Sequence, residues 1–249
     1  EWINAQVSDK LYGRIEFGSA KEAKDINIIN TAFTINDSAQ GILEIQDLAL
    51  FFNNNRWTID KQYGSPTLTA TSTSDFAFSN LNFMTENSAI TANASQNGND
   101  SFAVDVKFSN VYLRDLLSFQ KDRWEGTLNG FLNIRQSSSG FGGNSSLHMT
   151  DLALNGVSLG QADLKLQSKK ENQDYQLALQ ISDDGKEALL ATGTIGLQNA
   201  IPTWDIDVAF SDYNMSLIAG LTNDFFSPFR GKANGNLQLS SRADKIIPT

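Results

Sequence analysis

The chain has 249 residues, of which 40% are apolar and only 19% are charged, and its formal net charge is −9. Because nucleic acids require a basic patch to neutralise their phosphates, an acidic chain of this kind is not expected to bind them. The absence of cysteine excludes disulfides, thiol catalysis and cysteine-ligated metals.

In chain order, the first turn signal that joins two alternating segments is Asn97-Gly98, and Asp184-Gly185 is a second. Both dipeptides predict β-hairpin turns, because their residues accept positive φ angles readily. The glycine-rich stretch at residues 140–143 is flanked by serines and predicts a flexible loop.

The dominant pattern along the chain is an alternation of apolar and polar residues with a period of two. It runs through residues 102–108, 175–181 and 204–210. Successive side chains of a strand point to opposite faces, so this pattern predicts antiparallel strands with one apolar face and one wet face.

Two segments break the two-residue period, at residues 111–124 and 213–226. Their apolar residues recur near helical spacing: Leu113, Leu116 and Leu117 in the first, and Leu217, Ile218 and Leu221 in the second. Each segment predicts a short amphipathic helix or loop that caps an opening of the sheet, and a bulged strand is the alternative.

The sequence also repeats itself. Residues 43–50 match 147–154, residues 102–110 match 204–212, and residues 126–130 match 231–235, in the same order and at offsets of roughly 103 residues. We therefore expect tandem β repeats at 43–146 and 147–249, with residues 1–42 as the end of a preceding repeat. A duplicated globular domain is the alternative to one continuous array.

Residues suited to catalysis are few. The single histidine, His148, aligns with Glu44 in the other repeat and is expected to face solvent from a strand. There is no second histidine for a zinc pair and no Ser-His-Asp set, so no metal, no cofactor and no enzymatic activity are expected. Asp205 and Asp207 share one strand face, which leaves a glycosidase carboxylate pair open.

The remaining feature is the apolar stripe, which is either the core of a β-sandwich or the lining of a groove for an apolar ligand such as an acyl chain. Composition leaves both readings open. The groove reading gives the following lining candidates: Phe102, Val104, Val106, Phe108, Leu177, Leu179, Ile181, Trp204, Ile206, Val208 and Phe210.

A family resemblance bears on this choice. Residues 151–164, DLALNGVSLGQADL, resemble a recurrent element of the TamB / AsmA-like superfamily of Bacteroidetes type. Three further segments resemble the same family: residues 207–211, the apolar segment at 217–221, and the stretch 229–237 with its Gly-x-x-x-Gly motif. The membrane anchor and the C-terminal domain of that family have no counterpart here, so an internal fragment is expected.

The resemblance implies a long curled antiparallel sheet, taco-like, with a half-open hydrophobic groove. It implies a periplasmic location, with the parent protein anchored in the inner membrane. It also implies phospholipid transport between the inner and outer membranes, or support of outer-membrane protein assembly together with a barrel partner of the TamA kind.

Two other function classes remain as alternatives. A structural or binding β-sandwich repeat of a surface or secreted scaffold protein predicts a dry, fully packed core. A carbohydrate-active β protein predicts a surface cleft lined by aromatic and carboxylate side chains.

Overall fold

The protein is almost entirely antiparallel β-sheet, which confirms the fold class expected from the alternation. The computed structural model describes residues 10–248 except 18–26, 37, 39, 54, 99–100, 119, 121, 138–139, 169–173, 197–202, 215–230 and 243–244. By its contacts the chain divides into two compact units, Glu1–Val111 and Tyr112–Thr249. No helix within the described ranges is long and apolar enough to cross a membrane.

The first unit is a meander in which each strand pairs with its chain neighbour, with one interruption. Its strands are β1 (Lys10–Phe17), β2 (Asn27–Ile35), β3 (Gly41–Phe52), β4 (Asn55–Ile59), β5 (Thr67–Ser72), β6 (Asp75–Met84), β7 (Ala89–Asn97) and β8 (Ser101–Tyr112).

The interruption lies between β4 and β5, which together fill one position between β3 and β6. β4 pairs with one end of β3 and β5 with the other end, and both also pair with β6. The seven residues from Asp60 to Pro66 leave the sheet between them and include one 3₁₀ turn, Lys61–Tyr63. The strand position is thus occupied by two short collinear strands and an excursion.

The second unit opens with a single helical turn, α1 (Leu113–Leu116), followed by longer strands in chain order. These are β9 (Trp124–Ser137), β10 (Gly140–Leu154), β11 (Val157–Ser168), β12 (Asp174–Asp183), β13 (Lys186–Gly196), β14 (Thr203–Asn214), β15 (Lys232–Arg242) and β16 (Lys245–Pro248). α1 packs against β9 and buries Leu113.

Several long strands contain bulges at a residue with positive φ. Asn80 in β6, Asp151 in β10 and Asp212 in β14 have φ between 51° and 62°, and the strand register shifts at each of them. A bulge bends its strand and increases the local twist, so these positions curve the sheets of both units.

The predicted turns and loops have mixed outcomes. Asp184 and Gly185 form the expected two-residue turn, with φ of 48° and 74°. Asn97 stays in β7 opposite Ser101, and only Gly98 takes a positive φ. The flexible loop predicted at residues 140–143 is wrong, because these residues begin β10 and pair with residues 134–137 of β9.

The two segments predicted to cap the sheet also differ. In the first, the helix is a single turn and Trp124 already belongs to β9. In the second segment, Tyr213 still belongs to β14, which ends at Asn214. Leu217, Ile218 and Leu221 lie outside the described residues.

Strands at equivalent positions of the predicted repeat correspond in length and backbone. β8 and β14 each have twelve residues and begin 102 residues apart, at Ser101 and Thr203. The paired glycines of the Gly-x-x-x-Gly motifs, Gly126 with Gly130 and Gly231 with Gly235, all have positive φ. The tandem arrangement as a whole stays a prediction.

Candidate functional site

The cross-strand register places the apolar candidates of the second unit on one sheet face. Leu179 lies opposite Ala191, and Ala191 lies opposite Val208. Residues directly opposite each other in an antiparallel pair point to the same side. By the same register, the shared face contains Leu177, Leu179, Ile181, Trp204, Ile206, Val208 and Phe210.

These candidates belong to longer apolar rows that cross the strands. One row links Leu128, Met149, Ala162, Ile181, Leu189 and Phe210 across β9 to β14. Five strand spacings of about 4.8 Å make this row about 24 Å long. Since one leaflet of a bilayer is about 15 Å deep in hydrocarbon, the row is longer than a leaflet's acyl layer.

The first unit has an equivalent row that contains a candidate from β8. It links Leu11, Phe33, Leu43, Leu68, Phe78, Ala94 and Val104. Phe102, Val106 and Phe108 flank Val104 on the same face of β8, opposite Gln96, Ala92 and Ile90. All eleven candidates therefore lie on the apolar face of their own unit.

The apolar faces are only half-buried. Val208 is the one candidate among the eleven that is buried, at 8% exposure, and the other ten retain intermediate exposure. Full burial of apolar residues in the second unit extends from the α1 end, at Leu113 and Tyr213, to the middle of the strands, at Ala191 and Val208. The apolar face is thus closed at one end of its strands and more open at the other.

The opposite face of the second unit is polar. One row across β9 to β12 reads Asn129, His148, Asp163 and Gln180. His148 Nδ1 lies 2.8 Å from Asp163 Oδ1, and both side chains are about half exposed. Within the described residues no three His, Cys, Asp or Glu side chains are grouped to hold a metal ion.

Sequence reasoning missed the packing centre of the first unit. Trp57 is 1% exposed and stacks on Phe83, with ring centroids 5.2 Å apart. Phe83 pairs in register with Ile90, and Ile90 pairs with Phe108. The packing centre therefore adjoins Phe108, which is one of the lining candidates. The alternation of Trp57 and Ile59 was a usable signal, but β4 is only five residues long.

At the open end of the second unit's apolar face, a further cross-strand row contains both apolar and polar residues. It links Tyr175, Ile195, Trp204 and Ser241. The Tyr175 hydroxyl donates a hydrogen bond to the Gly142 carbonyl at 3.1 Å, and burial raises the pKa of Tyr175 above its ordinary 10.0. Beside this row lies a polar cleft of about 480 Å³ that Trp204 helps to line.

Comparisons with protein-family models, with curated proteins and with solved structures found no match.

Proposed function

We propose that this chain is a non-enzymatic segment whose apolar sheet faces carry the acyl chains of phospholipids. The observation that carries the proposal is the cross-strand register, which joins the apolar residues of successive strands into rows while most of them stay only half-buried. A continuous, half-open apolar surface suits a flexible hydrocarbon chain better than a rigid polar ligand.

The energetics favour retention without tight capture. Each fully buried methylene contributes about 0.8 kcal/mol, and a chain lying on an open face is buried on one side only. The favourable free energy of binding is then spread along the row, and no single contact dominates it. A lipid can be held by the sum of these contacts and still slide from one strand to the next, with its headgroup in water.

The cellular setting comes from the family resemblance. In this proposal the sheet is the taco-like, half-open groove of a TamB / AsmA-like protein, built from tandem repeats. The protein lies in the periplasm, is anchored in the inner membrane by another part of its chain, and works with an outer-membrane barrel of the TamA kind. Outer-membrane protein assembly is a second role for the same surface.

The rival is a structural β-sandwich repeat, whose interior would be sealed and dry. Two packed sheets bury most of the residues on their inner faces. Ten of the eleven candidates are half-buried and not fully buried, which supports an open face over such an interior. The two proposals differ most directly in whether lipid accompanies the purified protein.

The test in the first unit compares Val106→Asp with Ala103→Asp. Both add one carboxylate to β8 at half-buried positions, Val106 on the apolar face and Ala103 on the polar face opposite Ser95. Because a charge on the apolar face repels hydrocarbon, lipid that co-purifies with Val106→Asp should fall several-fold, whereas Ala103→Asp should retain it. The measurement is lipid extraction and mass spectrometry, with circular dichroism to verify folding.

The same design applies to β14 in the second unit. Ile206→Asp places the charge on the apolar face and Ala209→Asp places it on the polar face, and both positions are half-buried. Lipid loss in Ile206→Asp alone supports the proposal. Equal lipid content in all four variants and the parent, or none in any, would favour the sandwich.

A further inference from the structure

The polar cleft beside Trp204 is formed where four strands of the second unit reach the same edge. β12 contributes Asp174, β13 contributes Thr194, and β14 contributes Thr203, Trp204 and Asp205, while β15 supplies Gln238. Thr194 lies directly opposite Asp205 in register, so both belong to the polar face. Trp204 belongs to the apolar row, so its side chain points to the other face, and the cleft lies on the polar face at the ends of the strands.

The lining offers both hydrogen-bond donors and acceptors. The carboxylates of Asp174 and Asp205 accept, the Gln238 amide donates and accepts, and the threonine hydroxyls do both. Asp205 Oδ1 already accepts a hydrogen bond from Gln238 Nε2 at 3.1 Å, which fixes the two side chains relative to each other. The only formal charges on the described lining are negative, which disfavours a phosphate group.

Gly196 keeps part of the cleft open. A Cβ at this position would lie 2.6 Å from Thr203 Oγ1 and 3.0 Å from Asp174 Oδ1. The two oxygens therefore converge on a space that any side chain would occupy. Converging hydroxyl, amide and carboxylate groups suit an uncharged ligand that carries many hydroxyl groups.

We infer that this cleft binds an uncharged polyhydroxy group, as found in the sugar headgroup of a glycolipid or in a free sugar. The volume of about 480 Å³ lies within the range of small-molecule sites. In the glycolipid case the inference rests on the proposed function, because the acyl chain would pass around the strand ends to reach the apolar rows on the other face. The sugar contact itself stands on the cleft alone.

The experiment compares three probes by titration calorimetry on the full 249-residue chain, below the micelle concentration of each probe. The probes are octyl β-glucoside, octyl phosphate and methyl β-glucoside. Octyl glucoside should bind at least tenfold more tightly than octyl phosphate, because the two share a tail and differ in headgroup. A higher affinity for octyl glucoside than for methyl glucoside identifies a glycolipid, and equal affinities identify a free sugar.

Matched variants separate the cleft from the apolar face. Asp205→Asn should weaken octyl glucoside binding about tenfold, while Asp207→Asn, an exposed change on the same strand and face outside the cleft, should not. Gly196→Ala tests the same site without altering charge. The inference would be overturned if both Asp205→Asn and Gly196→Ala bound octyl glucoside as tightly as the parent does.

The outcomes also distinguish this inference from the proposed function. Equal binding of octyl glucoside and octyl phosphate, lost in Ile206→Asp, would support the acyl-chain proposal and reject the sugar site. Binding of methyl glucoside with no contribution from either octyl chain would support the sugar site and reject the acyl-chain proposal.

Discussion

Gly142 and Gly143 are neighbours in β10 with opposite tolerance for a side chain. Gly143 has a φ of 138°, and a Cβ there would lie 2.1 Å from the Asn133 carbonyl oxygen. At Gly142 the nearest atom to such a Cβ is Ser168 Oγ, at 3.6 Å. Because glycine adopts this φ readily, β10 continues through Gly143 in unbroken register, and a glycine-rich stretch that reads as a loop can form a strand.

We therefore expect Gly143→Ala to lower the free energy of unfolding by about 1–3 kcal/mol, the cost of a strained backbone position. Gly142→Ala, the matched control, should change it by less than about 1 kcal/mol. Urea unfolding followed by circular dichroism measures both. Equal effects of the two substitutions would show that a side chain at Gly143 is not strained.

Burial of Tyr213 is expected to make the free energy of unfolding depend on pH. It is 4% exposed and packs against Phe210, with ring centroids 5.7 Å apart, and burial raises its pKa above 10.0. Above pH 10 the unfolded chain releases this phenolic proton while the folded protein keeps it. Folding stability contributed by the buried neutral phenol is therefore complete below pH 10 and declines as the pH rises beyond it.

The expected result is that the parent loses more unfolding free energy than Tyr213→Phe between about pH 8 and about pH 11, because phenylalanine has no proton to release. The difference between the two proteins cancels the titration of lysines and other tyrosines. Urea unfolding at each pH is the measurement, and parallel pH profiles would show that Tyr213 does not contribute.

The excursion from Asp60 to Pro66 is the clearest feature at the scale of an element. Asp60 caps its 3₁₀ turn by accepting from the Gln62 backbone N–H at 2.9 Å, and its other oxygen accepts from Asn82 Nδ2 at 3.3 Å. Asn82 is itself buried, so its amide depends on partners within the protein. One carboxylate thus ties the excursion to β6.

Replacing Asp60 with alanine should cost about 1 kcal/mol of unfolding free energy, the usual loss for a capping side chain, and the loss of an acceptor for the buried Asn82 amide should add to this cost. Asp60→Asn keeps a capping oxygen and should cost less. Thermal and urea unfolding of both variants give the comparison. A loss in Asp60→Asn as large as in Asp60→Ala would show that charge, and not the cap, is what matters.

Sequence reasoning predicted element types well and interruptions poorly. The alternation from Trp204 to Phe210 identified both the strand and its apolar face, because period two is a property of the strand itself. No lining candidate came from β9, β10, β11 or β13, although Leu147 and Leu164 share a row with Leu179. Which strands align in a row depends on register and bulges, which are set by cross-strand pairing.

The β10–β11 turn carries a local sequence signal, the dipeptide Asn155-Gly156. Asn155 and Gly156 have φ of 51° and 79°, as a two-residue hairpin turn requires. The split of one strand position into β4 and β5 had no comparable signal, since it is defined by the pairing of both pieces with β3 and β6. Local chemistry reveals turns, and only tertiary pairing reveals a divided strand.

At the scale of the whole molecule, charge and apolar area make opposing contributions at a membrane surface. The net charge of −9 repels anionic headgroups, and this repulsion is screened as salt increases, because the Debye length falls from about 10 Å at 0.1 M to about 3 Å at 1 M. Burial of hydrocarbon on an apolar face is not screened in this way.

Delipidated protein should therefore take up lipid from phosphatidylcholine vesicles to a similar extent at low and high salt. Uptake from vesicles rich in phosphatidylglycerol should be weak at low salt and should rise several-fold with salt, as the repulsion between like charges is screened. The measurement is lipid retained by the protein after vesicles are removed by flotation. Strong uptake from anionic vesicles that salt abolishes would indicate headgroup binding by basic side chains, and the apolar rows would then not be the surface that captures lipid.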